Sequence, residues 1–167
     1  KYIYELINKR GLYLNDIDYS RCELLKKTFS ESNVKITAKD ATNDEFPFVD
    51  KILLDAPCSC SGTIRKNPDL RWKEIDIKSL CKTQALMLNN LSKYLKPKGA
   101  LVYSTCSIYD DENWQIIDKF LRNNKGFLLD DASRHIDSSF VDSKGCLFVS
   151  PVKQKLEGIF AARIVKL

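Results

Sequence analysis

Apolar positions along the chain follow two spacings, and these predict helices and strands that succeed one another in turn. Apolar residues at helical spacing predict helices around residues 3–7, 20–31, 80–95 and 110–121. Alternating or continuous apolar runs predict strands over residues 12–17, 34–40, 51–55 and 100–104, with short strands from Phe127 onward. This order indicates an α/β fold with a mostly parallel sheet and helices on both faces.

Particular residues predict where elements end and how they are buried. Pro97 and Gly99 are expected to end the helix at 80–95. The continuous apolar run that leads into Asp55 predicts a strand buried on both faces. A helix dipole favours acidic residues in the first turn, which is the position predicted for Asp110, Asp111 and Glu112.

The composition is that of an ordinary globular domain. The 167 residues are 44% apolar and 29% charged, with 27 Lys and Arg against 22 Asp and Glu, a net charge of +5. This mix excludes a disordered or collagen-like chain, and the apolar runs are too short to span a membrane. With no secretory signal at the start, we expect one cytoplasmic domain over residues 1–167. The mild positive charge suits an anionic partner.

The six cysteines are expected to be free thiols. In a reducing compartment, thiols serve as metal ligands, nucleophiles or core residues. A zinc site needs two close ligand pairs, whereas Cys58 and Cys60 form the one close pair of cysteines, and His135 is the sole histidine. The spacing therefore predicts no metal site.

Polar residues follow four of the predicted strands, where open α/β sheets bind their ligands. They are Asp16, Asp40, Asp55 and Cys106. An Asp at such a strand end can accept hydrogen bonds from ribose hydroxyls. Taken alone, Asp16 or Asp40 is equally well explained as a helix cap or a turn residue.

Two short segments carry the strongest chemical signal. Residues 55–62 read DAPCSCSG and residues 103–107 read YSTCS, and each follows a predicted buried strand. Free cysteines are most often small core residues. Here Ser and Thr flank Cys58 and Cys106, and an apolar core site would not recruit them. Both thiols are therefore expected in loops at the binding edge.

The run LLDAPCSCSGTIRKNPDLRW, followed by GALVYSTCSIYDDEN, resembles the Nop/Sun (Sun/Fmu) family of RNA cytosine-5 methyltransferases. The resemblance covers essentially the whole chain and is strongest to the bacterial branch that methylates small-subunit ribosomal RNA. It implies a Rossmann-like S-adenosylmethionine-dependent methyltransferase fold, RNA (16S ribosomal RNA) as substrate, S-adenosyl-L-methionine as cofactor and a monomer.

The resemblance also implies a role for each candidate site residue. Cys106 is the nucleophile that adds to cytosine C6, and Cys58 assists product release. Asp55 lies against the N3/N4 edge of the base and the methyl donor, protonated if it is buried. Asp16 binds the donor's ribose and Asp40 lies beside its adenine. Such a nucleophile is expected to have a lowered pKa.

Two other methyltransferase classes are less consistent with these motifs. DNA cytosine-5 enzymes use a Pro-Cys cysteine as nucleophile, which would make Cys58 the attacking thiol. The Thr105-Cys106-Ser107 motif after the next strand favours the RNA class instead. Amino-methyltransferases carry Asn/Asp-Pro-Pro-aromatic, and Cys58 in that position argues against them.

Basic residues around one tryptophan form the candidate RNA contact. Lys and Arg supply phosphate contacts, and an aromatic ring can stack on an exposed base. For Trp72 we expect core packing rather than stacking. The basic residues are Arg65, Lys66, Arg71 and Lys73.

The chain departs from the family pattern chiefly at its start. The glycine-rich donor loop, the central strand and the N-terminal RNA-binding region are absent from the sequence. The sequence thus predicts a partial catalytic domain that binds the donor poorly and is marginally stable. A non-catalytic RNA-binding or inert remnant is the alternative. Smaller departures are Cys60, where Gly or Ala is usual, and Glu157, where Asp is usual.

Overall fold

The computed structural model describes residues 5, 11–30 and 33–167. The helix predicted around residues 3–7 lies outside these residues, apart from residue 5. The chain divides into two compact units, residues 1–44 and residues 45–167, and each is described by itself.

The first unit contains two parallel strands and one helix. Strand β1 (Tyr13–Asn15) pairs with β2 (Lys35–Thr37), and α1 (Tyr19–Thr28) connects them. Asp18 caps α1 by accepting hydrogen bonds from the amides of the second and third residues that follow it. The buried thiol of Cys22 donates to the Thr37 carbonyl over 3.2 Å, which ties the helix to the end of β2. All three elements confirm the sequence prediction.

The second unit is built on a five-stranded sheet in the order β3-β4-β7-β5, with β6 also paired to β7. The strands are β3 (Val49–Asp55), β4 (Leu95–Thr105), β5 (Phe127–Asp130), β6 (Leu147–Val149) and β7 (Ile159–Lys166). Strand β3 is parallel to β4, whereas β7 is antiparallel to each of its three neighbours. Four strands therefore run in one direction, which confirms a mostly parallel sheet.

Two helices cover one face of this sheet and form the core with it. Helices α2 (Ile77–Ser92) and α3 (Trp114–Asn123) pack against each other, α2 contacting β4 and α3 contacting β5. The largest side chains that are almost fully buried between the layers include Leu88, Leu101, Tyr103, Ile117 and Phe160. Burial of each aliphatic or aromatic side chain contributes roughly 1.5–3 kcal/mol. This core holds the carboxyl ends of β3 and β4 in place.

The prediction that β3 is buried on both faces is wrong. Leu54 is buried, whereas its neighbour Leu53 is 56% exposed. Successive side chains of a strand point to opposite faces, and within the described second unit both helices lie on the face that Leu54 shares. The continuous apolar run therefore forms a strand with one buried face.

The junction between α2 and β4 also differs from the prediction. The helix ends at Ser92, and Leu95, which continues the helical stripe in the sequence, is the fully buried first residue of β4. Residues 96–99 form a bulge, because Val49 pairs with Leu95 whereas Lys51 pairs with Ala100. A Cβ on Gly99 would lie 2.8 Å from the Asp50 carbonyl oxygen, so glycine is required in this bulge.

Candidate active site

Asp55 and Cys106 lie at the same edge of the second unit's sheet, as predicted. Asp55 is the last residue of β3 and pairs with Ser104, two positions before Cys106. The Ala56 amide continues the ladder by donating to the Ser104 carbonyl over 2.9 Å. The loop after β3 and the loop after β4 therefore start side by side.

The two motif thiols are in direct contact. The Sγ atoms of Cys58 and Cys106 are 3.3 Å apart, and the Sγ of Cys60 lies within 4.8 Å of both. All three side chains are half-buried, and all are free thiols. The fold thus brings together the two cysteines that the sequence singled out, and adds a third.

A close backbone approach holds the two motif loops together. The Gly62 amide donates to the Cys106 carbonyl over 2.9 Å, and the Gly158 amide donates to the Gly62 carbonyl over 2.9 Å. A Cβ on Gly62 would lie 2.6 Å from the Gly158 oxygen and 2.7 Å from the Cys106 oxygen. The absence of a side chain at Gly62 is therefore a condition for this thiol arrangement.

Glu112 is a fully buried carboxylate that links the same two loops. Its Oε2 accepts hydrogen bonds from the hydroxyls of Ser59 (2.6 Å) and Ser107 (2.5 Å), and its Oε1 accepts from the Ser59 amide (2.9 Å). The Nε2 of Gln84, on α2, donates both to Oε1 and to the Pro57 carbonyl. Ser59 and Ser107 each follow a motif cysteine directly, so this carboxylate positions both thiols.

The structure places Glu112 differently from the sequence prediction. The sequence predicts it in the first turn of a helix, whereas Asp110–Glu112 forms a separate 3-10 turn and α3 begins at Trp114. The next residue, Asn113, accepts from the Thr105 hydroxyl and donates to the Ser107 carbonyl. The signal that could have identified Glu112 is an acidic residue five positions after Ser107, close to serines that need an acceptor.

The expectation of a lowered pKa for the nucleophile is wrong for the protein alone. Burial, together with the neighbouring thiols of Cys58 and Cys60, raises the pKa of Cys106 well above its ordinary value. Burial also raises the pKa of Cys58. Without substrate, both motif cysteines are therefore protonated at neutral pH.

Asp55 is exposed, contrary to the burial expected of a protonated carboxyl. It ends β3 on the face that Leu53 shares, which neither helix of the described second unit covers. The Ser104 hydroxyl donates to its Oδ1 over 3.5 Å. The carboxylate is thus open to solvent beside the thiol loops.

Asp16 and Asp40 lie in the first unit, each just beyond the end of its strand. The Asp16 amide donates to the Thr37 carbonyl, and its Oδ1 accepts from the Asp18 amide. The Oδ1 of Asp40 accepts from the amide and the hydroxyl of Thr42, and these bonds lower the pKa of Asp40. Both residues therefore have the turn role that the sequence left open.

The prediction that all four functional side chains follow strands of one sheet is not met among the described residues. Asp16 and Asp40 are at the end of a two-stranded sheet, whereas Asp55 and Cys106 are at the end of a five-stranded sheet. The physical reason is that, among the described residues, β1 and β2 hydrogen-bond as a ladder only with each other.

The four predicted RNA-contacting residues are exposed, and two of them line a groove of about 280 Å³. Arg71 and Lys73 share this groove with Tyr109 and with Ser59 and Ser61 of the first motif loop. Lys73 also forms an ion pair with the exposed Asp69 over 3.3 Å. The groove thus joins a basic surface to the loop that carries Cys58 and Cys60.

The remaining two basic residues contact the segment before β7. The Arg65 guanidinium donates to the Lys155 carbonyl over 2.7 Å, and Lys66 forms an ion pair with Glu157. These contacts anchor the loop that leads from the first motif towards the groove.

The expected core packing of Trp72 is wrong, because this side chain is 88% exposed. It ends a five-residue 3-10 helix, Pro68–Trp72, in which no residue is buried. A helix this short on the surface has no buried face to offer the indole ring. The structure therefore favours the alternative in which the indole ring is available for stacking on a base.

A family model described as 16S rRNA methyltransferase RsmB/F matches residues 1–165. Two similar curated proteins, both called Ribosomal RNA small subunit methyltransferase B, come from Photorhabdus laumondii (36% identical over 180 residues) and Shewanella oneidensis (33% over 162 residues). These alignments cover 99% and 90% of this chain. They cover 39% and 36% of the relatives, so the chain spans less than two-fifths of their length.

Two solved structures have the same fold. NSun6 from Pyrococcus horikoshii, solved with SFG, has a TM-score of 0.81 and 30% identity, over 98% of this chain and 44% of that one. A methyltransferase homolog protein from the same organism has a TM-score of 0.77 and 29% identity, over 99% and 57%. Among the described residues, no helix is long and apolar enough to cross a membrane.

The sheet order, the helix layer and these structural matches define a Rossmann-like methyltransferase fold. The match over residues 1–165 confirms the resemblance of the two motifs. The chain belongs to the 16S rRNA methyltransferase RsmB/F family.

Proposed function

We propose that this protein transfers a methyl group from S-adenosyl-L-methionine to C5 of a cytosine in RNA, with Cys106 as nucleophile and Cys58 assisting product release. The observation that carries the proposal is the 3.3 Å contact between these two thiols at the carboxyl edge of the sheet. Membership of the RsmB/F family supports the reaction type. The relatives are much longer than this chain, so their complete activity is extended to it here as a proposal.

The thiol pair suits covalent catalysis at an aromatic carbon. C5 of cytosine is a weak nucleophile until Cys106 loses its proton and its Sγ bonds to C6, which places electron density on C5. The donor supplies a methyl group on a sulfonium, and C5 takes that methyl group. Loss of the C5 proton to a base then lets the Sγ–C6 bond break, which returns a thiolate at Cys106. Cys58 is in contact with that sulfur and can share the proton that the Cys106 thiolate takes up.

The surrounding residues bind and position rather than form bonds. Asp55 is open to solvent at the same edge and can accept a hydrogen bond from the N4 amino group of the base. Glu112 touches no reacting atom and acts as a positioning residue through Ser59 and Ser107. The thiols are half-exposed because they must reach the base, whereas Glu112 can be fully buried because it only positions them.

The donor-binding residues of the first unit fit the chemistry of a nucleoside. Asp16 and Asp40 follow adjacent parallel strands, where carboxylates can accept hydrogen bonds from ribose hydroxyls. The carboxylate of Asp40 can accept such bonds, and the hydrogen bonds from Thr42 lower its pKa and so favour the ionised form further. The relative solved with SFG, an analogue of S-adenosylmethionine, supports this donor.

RNA is the proposed substrate, and 16S ribosomal RNA is the proposed target because both curated relatives are small-subunit ribosomal RNA methyltransferases. The groove beside Arg71 and Lys73 provides phosphate contacts next to the thiol loops. A cytosine must leave its stack for C6 to reach Cys106, so a flipped or single-stranded base is expected. A cytoplasmic monomer that acts without a resident metal completes the proposal.

The activity is tested with the protein, labelled S-adenosyl-L-methionine and a 16S ribosomal RNA transcript. The proposal predicts label in RNA that bisulfite sequencing locates at C5 of cytosine, and loss of label in Cys106→Ala. Cys81→Ala is the matched control, because Cys81 is a half-buried thiol outside the site. RNA binding without label in a folded sample that also binds the donor would instead favour the non-catalytic remnant.

A further inference from the structure

The thiol of Cys60 has no part in the proposed methyl transfer, yet it lies against the two thiols that do. The sulfur atoms of Cys58, Cys60 and Cys106 are all within 4.8 Å of one another. No other group of three or more His, Cys, Asp or Glu side chains among the described residues has donor atoms this close. Spacing along the sequence excluded zinc, but Cys106 reaches the other two thiols across the sheet edge, which spacing cannot reveal.

The backbone at Cys60 directs this side chain into the cluster. Cys60 has a φ of 56°, a left-handed conformation that residues with a Cβ rarely adopt. Its Sγ donates to the Cys58 carbonyl over 3.5 Å, which turns the thiol back towards the motif. The close contacts of Gly62 with Cys106 and Gly158 hold the following turn in place. The three sulfurs are therefore presented by a fixed scaffold.

We infer that Cys58, Cys60 and Cys106 form a binding site for a thiophilic divalent cation such as Zn²⁺. Zinc–sulfur bonds are about 2.3 Å long, so two sulfurs bound to one tetrahedral ion lie about 3.8 Å apart. The sulfurs of Cys58 and Cys106, 3.3 Å apart, open by about 0.5 Å to reach that separation, and the Cys60 sulfur, within 4.8 Å of both, closes by at most about 1 Å. Soft thiolate ligands select ions of this kind over Mg²⁺ or Ca²⁺.

Binding is a proton exchange with no change in oxidation state. One divalent ion bonds to three sulfurs and displaces three thiol protons to solvent, which leaves a complex with a net charge of −1. Three protein ligands leave a fourth position for water, the arrangement of an open rather than a closed structural site. An open site on half-exposed thiols exchanges its ion readily.

The consequence for activity rests on the proposed function. Two of the three ligands are the proposed nucleophile and the proposed release thiol, so a bound ion occupies the electron pair that Cys106 needs. The ion is therefore an inhibitor, and Cys60 supplies the ligand that makes the site selective for it. Metal affinity does not depend on methyl transfer, so the two proposals can fail separately.

The test is titration of Cd²⁺ and Zn²⁺ into the metal-free protein in the presence of a non-thiol reductant. Cd²⁺ bound by thiolates has an ultraviolet sulfur-to-metal absorption, and Zn²⁺ competes with it. The proposal predicts one ion per chain, with affinity lowered by at least about tenfold in Cys60→Gly. Glycine suits the left-handed backbone at this position, so that variant keeps the fold. Cys81→Ala should bind as the unaltered protein does.

Four results would overturn the inference. Three of them are a folded protein without the sulfur-to-cadmium absorption, an affinity unchanged in Cys60→Gly, and an affinity lost in Cys81→Ala. Thiols that disappear in air but bind no metal when reduced would also contradict it, and would indicate a Cys58–Cys106 disulfide instead. Inhibition by Zn²⁺ is then measured in each variant relative to its own metal-free rate. Inactivity of the metal-free protein would count against the proposed function alone.

Discussion

The hydroxyl of Ser59 donates to the buried carboxylate of Glu112 over 2.6 Å, although 53 positions separate the two residues. Ser107 donates to the same oxygen, so one carboxylate joins the loop after β3 to the loop after β4. Each serine follows one of the paired cysteines. The contact between the two thiols therefore depends on this carboxylate as well as on the two strands.

Replacement of Glu112 tests this link. In Glu112→Ala the buried donors of Ser59, Ser107 and Gln84 lose their acceptor, and we expect the free energy of unfolding to fall by about 3 kcal/mol. Glu112→Gln retains one acceptor oxygen and should lose about half as much. Denaturant unfolding measures both, with the exposed Asp111→Asn as control. Equal stability of Glu112→Ala and the control would refute the role of this carboxylate.

Gly62 offers a second test of the scaffold. A methyl group there meets backbone atoms of Gly158 and Cys106 at 2.6–2.7 Å, so Gly62→Ala should destabilise the protein by roughly 1–3 kcal/mol. Gly126→Ala is the matched control, because a Cβ at Gly126 would meet no atom of the described residues within 4 Å apart from its own chain neighbours. Thermal unfolding distinguishes the two. A Gly62→Ala protein as stable as its control would mean that the loops are not held by this approach.

The raised pKa of Cys106 predicts how its reactivity varies with pH. Alkylation requires the thiolate, so its rate at Cys106 should still rise about tenfold per pH unit beyond about pH 8.5, the pKa of an ordinary thiol. A short unstructured cysteine peptide with blocked ends, treated alongside, should approach its plateau above that pH. Mass spectrometry of the Cys106 peptide after iodoacetamide treatment measures the rate. An alkylation rate at Cys106 that stops rising at a lower pH than that of the free thiol would show a lowered pKa instead.

Trp72 and Arg71 should affect RNA binding in different ways. Loss of the exposed indole in Trp72→Ala removes a stacking contact worth about 1–3 kcal/mol, with little change in salt dependence. Arg71→Ala should reduce the slope of log K against log salt by about 1. Filter binding at several salt concentrations measures both. Val152→Ala, at a residue 87% exposed, is the control, and a Trp72→Ala affinity equal to it would remove Trp72 from the interface.

Local patterns predicted most of the elements, because spacing along the chain decides whether a segment has an apolar face. They failed where partners distant in sequence decide the outcome. Leu95 continues the helical stripe of α2 but is buried as the start of β4, through its pairing with Val49. Leu53 lies in an apolar run but on the side of β3 that no helix of the described second unit covers.

The candidate site was likewise predictable where neighbouring residues in the sequence decide it, and unpredictable where distant residues do. The two motifs identified Cys58 and Cys106, and parallel strands brought them to one edge. The roles of Glu112 and Cys60 could not be predicted, because each depends on side chains that only the folded loops place nearby. The prediction for Trp72 is wrong because a tryptophan is usually buried, whereas this one ends a surface 3-10 helix too short to cover it.

The most direct test of the central claim uses RNA that carries 5-fluorocytosine at the target position. Fluorine at C5 cannot be removed as a proton is, so the Sγ–C6 bond persists and a covalent protein–RNA complex accumulates on a denaturing gel. We expect the complex to form with the unaltered protein and with Cys58→Ala, and to be absent with Cys106→Ala. A complex that survives in Cys106→Ala and is lost in Cys58→Ala would contradict it and identify Cys58 as the nucleophile.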